Sequence, residues 1–293
     1  MDIGMDILAQ TLAQGLLMGG TYALIALGMG LTFSVSGVVN FAHGDILSLG
    51  MFLAFACFNA FALDPYVSVA ITLPVMLGLG ALLYRGLLKP VVGSHTLMVI
   101  QLTLGITFVL QNGLLMTFGG LTHRVPSMIE AELILVGDTL VLRAALAVAF
   151  VVCVALAGLL YWMLMRTDLG RSIRAVHQNA RAAALMGVNV NRVRMLTFAM
   201  GCGLLAIAAA LLVPGTPLHP SQGLRYTVIT LMVMVLGGMT NFLGILVGGL
   251  LFGITEALGT VYVSGTSGMI VPYAMFVLVL LLRPEGLLKG RAA

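Results

Sequence analysis

The chain has 293 residues, of which 60% are hydrophobic and only 8% are charged. Soluble domains carry about 25% charged residues, and with a mean hydropathy of +1.13 this chain lacks the polar side chains that a water-exposed surface needs. Its net charge of +4 comes from clustered basic residues without interleaved aromatics, which argues against nucleic-acid binding. The composition indicates an integral membrane protein whose solvent is the lipid bilayer.

The apolar segments predict an all-α fold, a polytopic bundle of eight or nine transmembrane helices, because one span takes about 20 residues. Residues 1–293 are predicted to form a single transmembrane domain. The segments run approximately from Leu8 to Phe33, Asp45 to Leu63, Pro65 to Tyr84, Thr96 to Phe118, Leu140 to Met165, Met195 to Val213, Tyr226 to Val263 as two spans, and Met269 to Leu282. The break in the double segment is predicted near Gly237–Asn241.

The charged residues predict how this bundle is oriented. Residues 166–194 contain six arginines opposed only by Asp168, so the positive-inside bias places this loop in the cytoplasm. The same bias places on that side the basic residues Arg85, Lys89, Arg283, Lys289 and Arg291, and with the last three the C-terminus. Two segments are predicted to face outward: residues 119–139, with Glu130, Glu132 and Asp138, and the proline-rich segment Pro214–Gln222.

The arginine-rich loop is too polar to span a membrane and too patterned for a slack linker. Its composition favours a helix from Ile173 to Met186, with Gly187 placed to end it. Val176, Ala180, Ala183 or Ala184, and Leu185 are predicted to share one face of that helix. Such a helix suits a cleft in a soluble partner, and a position on lipid headgroups is the alternative.

A polar stretch from Asn40 to Asp45 precedes the second apolar segment. Ionisable residues in hydrocarbon are costly and are functional candidates by default. Asn40, His43 and Asp45 are therefore candidates for a translocation path or a gate, and a structural helix start is the alternative. A metal site is not predicted, because one histidine and one aspartate do not fill a coordination shell.

Three further residues inside apolar segments are candidates for the path. Glu256 is the only acidic residue deep in the late apolar region, where it either pairs with a polar group on a neighbouring helix or lies near the membrane edge. Thr21 and Tyr22 lie in the first span, where helix packing is the simpler explanation. Asn40–Leu47 and Asn241–Leu246 share a short pattern, which suggests discontinuous helices from a structural repeat or a chance match.

Several motifs together resemble the LivH family of branched-chain amino acid permeases. The matching stretches cover most of the chain and are Gly20–Gly28, Val39–Asp45, Ala182–Gly187, Leu236–Met239, Gly248–Leu258 and Arg283–Leu287. Residues Ala182–Gly187 are similar to the alanine–alanine–glycine signature of the coupling loops in ABC importer permeases. Arg181 departs from the family pattern, in which many relatives carry an acidic residue just before the alanines.

The resemblance implies a permease subunit of an ATP-binding cassette importer in the bacterial inner membrane. Its ATPase-coupling residues would be Asn179, Arg181, Ala182, Ala183, Leu185, Met186 and Gly187. Its partners would be a second, LivM-like permease, two cytoplasmic ATPase subunits and an extracytoplasmic solute-binding protein. The chain has no GxxxxGK[ST] motif, so the partners hydrolyse the ATP, and the permease is expected to be non-catalytic and without a cofactor.

Three alternatives stay open. Related permeases serve urea, amides and other small organic molecules, so the substrate is not decided. An ion-coupled secondary carrier should contain more ionisable groups inside the membrane. A membrane enzyme should concentrate catalytic side chains, whereas the five histidines are spread along the chain.

Overall fold

A computed structural model describes residues 2–129, 132–136, 140–263, 268–284 and 286–288. Within these residues the chain is mostly helical, with ten α-helices and one two-stranded hairpin. The elements are α1 Asp2–Ser36, α2 His43–Phe61, α3 Pro65–Leu83 with a π-helical extension Tyr84–Leu88, α4 Thr96–Phe118, β1 Leu133–Val136, β2 Leu140–Arg143, α5 Ala144–Arg166, α6 Asp168–Leu185, α7 Val190–Leu212, α8 Gly223–Gly237, α9 Phe242–Tyr262 and α10 Ile270–Leu282. Five charged residues of the predicted loops and tail, Glu130, Asp138, Glu285, Lys289 and Arg291, lie outside the described residues.

Seven of the described helices are long and apolar enough to cross a membrane. They are α1, α2, α3 with its extension, α4, α5, α7 and α9. The predicted fourth span has the bounds of α4, and the predicted break near Gly237–Asn241 separates α8 from α9. Helices α8 and α10 are shorter, with 15 and 13 residues, and a total of eight or nine spans stays a prediction.

The hairpin is the element that the all-α prediction missed. β1 and β2 pair antiparallel, with Leu133 opposite Arg143, so the fifth span begins at Ala144 and the predicted start at Leu140 is wrong. A short apolar run such as Leu140–Arg143 does not reveal its state by periodicity. A contact distant in sequence holds it, because the Gln10 side chain hydrogen-bonds both the N–H (3.0 Å) and the carbonyl of Val141.

The bundle has two ends with different charge. The end that carries α6, called the α6 end, also contains the last turn of α1 and the first turn of α7, since Arg194 Nε donates to the Val35 carbonyl at 3.0 Å. The opposite end, called the hairpin end, contains β1–β2 and the turn between α2 and α3, where Asp64 accepts from Ser127 Oγ at 2.9 Å. Exposed arginines collect at the α6 end: Arg166, Arg171, Arg181 and Arg192.

Helix α1 is the buried centre of the bundle and packs most extensively against α9. At this α1–α9 seam, glycines on both helices let the backbones touch: Gly15 and Gly19 on α1, and Gly249 and Gly253 on α9. A Cβ added to Gly249 would lie 2.6 Å from Ala23 Cα. Close approach through small residues is a main source of helix association in lipid. The outer faces of α4 and α5 instead expose apolar side chains, among them Val109 at 72% and Val151 at 65%.

Candidate functional site

Helix α2 begins inside the bundle and not at its end. The chain leaves α1 after Ser36 at the α6 end, and residues 37–42 then turn back into the bundle. His43 Nε2 lies 3.0 Å from the Ile25 carbonyl oxygen of α1, and Ile25 lies roughly 16 Å along the helix axis from Ser36. The predicted discontinuity is therefore present at α2.

The partner of this helix start is α8. Gly44 N–H donates to Thr227 Oγ1 at 3.0 Å, and that hydroxyl lies 3.2 Å from the Phe41 carbonyl oxygen. A Cβ at Gly44 would overlap with the Gly223 carbonyl oxygen and lie 2.6 Å from Thr227 N. Residues 40–45 with Gly223 and Thr227 are called the α2–α8 junction. Here two helices that run to opposite ends of the bundle meet by their N-terminal turns.

The short sequence repeat relates the start of α2 to the start of α9 and not to that of α8. Helix α9 begins at the α6 end, where the Asn241 side chain accepts a hydrogen bond from Gly244 N at 3.1 Å. Gly30, in the last turns of α1, lies near the Met239 carbonyl that precedes α9. The short pattern shared by Asn40–Leu47 and Asn241–Leu246 thus marks two helix starts at different depths.

Three candidate residues are buried in the α2–α8 junction. Asn40 Oδ1 accepts from Ala42 N at 3.1 Å, and His43 is held by the Ile25 carbonyl. Asp45, in the first turn of α2, lies directly against the backbone of Gly223. The N-termini of both helices carry partial positive charge, so the Asp45 carboxylate complements the two ends. These contacts match the helix-start alternative, and a role in a path stays a prediction.

A cavity lies between the junction and the α6 end. Its wall includes Asn40, Thr103, Tyr84 and Arg194. The centre of a water molecule can occupy about 20 Å³ of it, which corresponds to one or two waters. This space is too small for an amino acid.

A second polar cluster surrounds Glu256. Arg225 Nη2 of α8 lies 3.4 Å from Glu256 Oε1 of α9, which confirms that Glu256 pairs with a neighbouring helix. Tyr22 is buried beside the pair and packs edge-to-face on Phe252, with ring centroids 5.7 Å apart. Thr21 is also buried. Arg225 could not be singled out from the sequence because it stands between the proline-rich segment and the apolar run, where it resembles a loop residue.

Helix α6 is kinked at Asn179, so the helix predicted from Ile173 to Met186 is present as two segments and ends at Leu185. Asn179 has extended backbone angles, φ −157° and ψ 101°, and its Oδ1 accepts from Arg181 N and Ala182 N, both at 3.0 Å. This is the geometry of a helix N-cap. Asn179 therefore ends one helical segment and begins a second one.

The second segment ends where the sequence predicts. Gly187 has a φ of +87°, a left-handed conformation that favours glycine. Gly187 N donates to the Ala184 carbonyl and Val188 N to the Ala183 carbonyl, at 3.1 and 3.0 Å, as in a Schellman motif. The short segment Ala180–Leu185 is thus capped at both ends.

The faces of α6 agree only partly with the prediction. Val176 and Ala183 are buried as expected. Leu185 is not on that face, because the kink at Asn179 and the closing turn leave it 88% exposed, beside Met186 at 84%. Arg181, Ala182 and Gly187 are exposed too. The tip of α6 therefore presents two adjacent uncovered apolar side chains.

The base of α6 is attached to the transmembrane helices. His177 Nδ1 lies 2.6 Å from the Ser34 carbonyl oxygen of α1, and Arg174 donates to the Leu164 carbonyl of α5. Gly170 packs against the same turn of α5. These contacts connect α6 to the last turns of α1, directly before the residues that lead to the α2–α8 junction.

The polar clusters at the junction and around Glu256 lack the donor set of a metal centre. Among the described residues, no group of three or more His, Cys, Asp or Glu side chains is placed to hold a metal ion. The arrangement consists of two helix N-termini, a buried carboxylate, an inter-helix ion pair and a protruding capped helix.

Comparison with known proteins relates this arrangement to membrane transport. A family model described as branched-chain amino acid transport system / permease component matches residues 11–280. The high-affinity branched-chain amino acid transport system permease protein BraD of Pseudomonas aeruginosa is 29% identical, over 95% of each chain. LivH of Escherichia coli strain K12, with the same description, is 30% identical over 95% of this chain and 94% of the relative.

A more distant similarity extends to a sugar permease. The ribose import permease protein RbsC of Escherichia coli strain K12 is 27% identical over 88% of this chain and 81% of the relative. No solved structure shows a significant match. With a family model that covers most of its length, the chain belongs to the branched-chain amino acid transport permease family.

Proposed function

We propose that the chain is the membrane-embedded permease subunit of an ATP-binding cassette importer that moves branched-chain or related small hydrophobic amino acids across the bacterial inner membrane. Its membership of the permease family is the observation that carries this proposal. The chain catalyses no reaction and uses no cofactor of its own, since partner subunits hydrolyse the ATP. Residues 1–293 act as one permease domain.

The α6 end of the bundle faces the cytoplasm in this proposal. The exposed arginines of residues 166–194 support this side, because basic residues are retained there. The C-terminal segment lies on the same side, because Leu287 N donates to the Leu236 carbonyl near the end of α8. Seven long helices together with α8 and α10 then make nine crossings, with the N-terminus outside.

The tip of α6 docks on an ATPase subunit. Its second segment, from Asn179 to Gly187, is rigid because both of its ends are capped, and Leu185 and Met186 enter an apolar cleft of the partner. Closure of two ATPase subunits around ATP pushes this segment, and the contacts of His177 and Arg194 with α1 pass the movement on. A headgroup position would bury the apolar tip in the lipid and leave the ATPases without a contact.

The α2–α8 junction is the gate that this movement opens. Its helices start inside the membrane and meet by their first turns around the Thr227 hydroxyl. A small shift of α1, to which His43 attaches α2, separates them. Asn40, His43 and Asp45 then line the opened path, with Thr21, Tyr22 and Glu256 nearer the hairpin end. Alternation between closed and open junctions is a population shift driven by the ATPases.

The complete importer contains a second, LivM-like permease, two ATPase subunits and an extracytoplasmic solute-binding protein. The uncovered apolar faces of α4 and α5 meet either that second permease or lipid. Ribose is a second candidate substrate, favoured by the similarity to RbsC. Urea and amides are further candidate substrates, and ion-coupled carriage is the competing mechanism.

Affinity purification of the tagged chain from its native membrane tests the proposal. We expect the nucleotide-binding subunits to co-purify, and the double variant Leu185→Asp, Met186→Asp to lose them together with at least nine-tenths of ATP-driven leucine uptake, because burying two new carboxylates is unfavourable. Met128→Asp is the matched control, since Met128 is 87% exposed at the opposite end.

Each contrary outcome contradicts a different part of the proposal. Retention of the ATPase subunits by the double variant would show that α6 docks elsewhere. Uptake that continues without ATPase subunits would indicate a secondary carrier. Uptake of ribose in place of leucine by the wild-type importer would replace the substrate.

A further inference from the structure

Arg225 is a charged side chain in an unusual position. Its side chain is 58% exposed although its ion-pair partner, Glu256, is only 12% exposed. Glu256 lies within α9, roughly 21 Å from Phe242 and 9 Å from Tyr262 along the helix axis. Since a hydrocarbon core is about 30 Å thick, the exposed guanidinium lies at a depth that lipid tails occupy around a bundle.

Lipid is a poor neighbour for this face of α8. An unburied arginine inside hydrocarbon is costly, and such side chains usually face a water-filled cavity or the interior of a bundle. The exposed residues of α4 and α5 at comparable depth, Val109 and Val151, are apolar instead.

The chemistry of the Arg225 surroundings fits an α-amino acid. A guanidinium has five N–H donors in a planar fork that matches a carboxylate, and a single 3.4 Å contact to Glu256 leaves most of them available. The Glu256 carboxylate is close enough to Arg225 to bind the ammonium group of the same amino acid. The preceding residue, Leu224, is 57% exposed and offers an apolar contact for an aliphatic side chain of the substrate. Ribose carries neither a carboxylate nor an ammonium group.

We propose that Arg225 lines the aqueous translocation passage and binds the carboxylate of the amino acid during its transfer, with Glu256 on the ammonium group. This assignment rests on the proposed import of amino acids and names the residue that recognises them. It also gives a physical reason for an amino acid over a sugar as substrate. A charge contact to a second permease subunit is the competing use of Arg225.

The reactivity of a cysteine at position 225 distinguishes whether water, protein or lipid surrounds this side chain. The native cysteines, Cys57, Cys153 and Cys202, are buried, so Arg225→Cys provides the reactive thiol in the complete importer in nanodiscs. We expect a charged methanethiosulfonate reagent to modify it. In Leu224→Cys, which keeps Arg225, we expect leucine at saturating concentration to slow the same reaction at least threefold. Val109→Cys and Val151→Cys should stay unmodified.

Three results of this labelling would overturn the proposal. Failure to react in the complete importer, together with reaction in the permease purified alone, would assign Arg225 to the subunit contact. Failure in both samples would place the side chain in lipid. Reaction of Leu224→Cys that leucine does not slow would leave a water-exposed arginine without substrate binding, which also contradicts the proposal.

Uptake by the reconstituted importer gives the second test. Arg225→Gln removes a charge-assisted hydrogen bond and should lower leucine uptake at subsaturating concentration about 10- to 100-fold. Arg225→Lys keeps the positive charge and should retain a larger fraction of wild-type uptake. The exchange Arg225→Glu, Glu256→Arg preserves the ion pair but moves the cation to α9. Recovery of uptake by this exchange would show that the pair is structural.

The wild-type importer distinguishes failure of the proposed function from failure of the Arg225 assignment. Without ATP-driven leucine uptake by wild type, the proposed function itself fails. With normal wild-type uptake and unchanged uptake by Arg225→Gln, only the assignment of Arg225 fails. Thermal stability of each variant, measured by size-exclusion chromatography after heating, controls for loss of fold.

Discussion

The α1–α9 seam and the α2–α8 junction both bring helix backbones into contact through glycines, but they differ in every other respect. The seam joins two long helices over most of their length through apolar side chains and small residues. The junction joins two helices by their first turns only, around buried polar groups such as Asp45 and Thr227. The seam is a permanent support, whereas the junction has few contacts to break.

In the proposed function, this difference lets one bundle be both stable and movable. Van der Waals packing along the seam is lost only when the helices separate completely, which amounts to unfolding. At the junction, a shift of a few ångströms breaks individual hydrogen bonds and leaves the rest of each helix in place. Substitutions at the two places should therefore affect different observables: abundance at the seam and transport at the junction.

The largest effect is expected at the seam. In Gly253→Leu, the first side-chain carbon alone would lie 2.5 Å from Gly19 Cα and N, and backbone cannot yield as a flexible side chain does. We expect nearly complete loss of monodisperse protein, measured by fluorescence-detected size-exclusion chromatography. Gly158→Leu on α5 has nothing within 4 Å of its Cβ and should behave as wild type. Equal loss in both variants would mean that the seam is not special.

At the junction, the addition of a single methyl group should already impair transport. In Gly44→Ala the new carbon would overlap with the Gly223 carbonyl oxygen, and overpacking of this kind costs about 1–3 kcal/mol. We expect a lower melting temperature and a fall in leucine uptake that exceeds the fall in abundance. Gly50→Ala is the control on the same helix, because its Cβ would lie 3.1 Å from a side-chain methyl, Ala209 Cβ. Uptake that falls only in proportion to abundance would assign the junction to support.

Removal of the junction charge should have a smaller effect. Asp45→Asn keeps the shape of the side chain but removes the charge that complements two helix N-termini, an interaction of about 0.3–2 kcal/mol. We expect a modest loss of thermal stability in the purified importer and a measurable change in uptake rate. The control is Asp64→Asn, because Asp64 lies at the hairpin end, where it caps α3 through Tyr66 N at 3.0 Å and accepts from Ser127 Oγ at 2.9 Å. A more stable Asp45→Asn variant would contradict the proposed charge balance.

The smallest effect on global stability is expected at the kink in α6. Asn179→Ala removes the cap of the short segment, at a local cost of about 0.5–2 kcal/mol. We expect faster amide hydrogen exchange in residues 180–185 and weaker ATPase stimulation, with an unchanged melting temperature of the bundle. Asn189→Ala removes the equivalent cap of α7, where Asn189 Oδ1 accepts from Arg192 N at 3.0 Å. If amide hydrogen exchange in residues 180–185 were unchanged in Asn179→Ala, contacts other than the cap would hold the segment.

Much of the fold follows from the sequence because hydrophobicity and charge act locally. The apolar run Thr96–Phe118 has the bounds of α4, and Gly187 ends the α6 segment through its own positive φ. The family motifs in the sequence likewise indicate the permease family. These properties depend on neighbouring residues, so a linear pattern contains them.

Contacts between distant residues were outside the reach of that pattern. The apolar run at Leu140–Arg143 becomes a strand through its pairing and the Gln10 side chain, and Arg225 acquires its meaning only beside Glu256. Asn179 could not be recognised as a kink because it lies in a stretch of strong helix formers. By itself, the sequence determined a membrane-embedded helical permease with an arginine-rich loop; the tertiary structure decided that α2 and α8 begin inside the bundle and meet, because only packing sets the depth of a helix start.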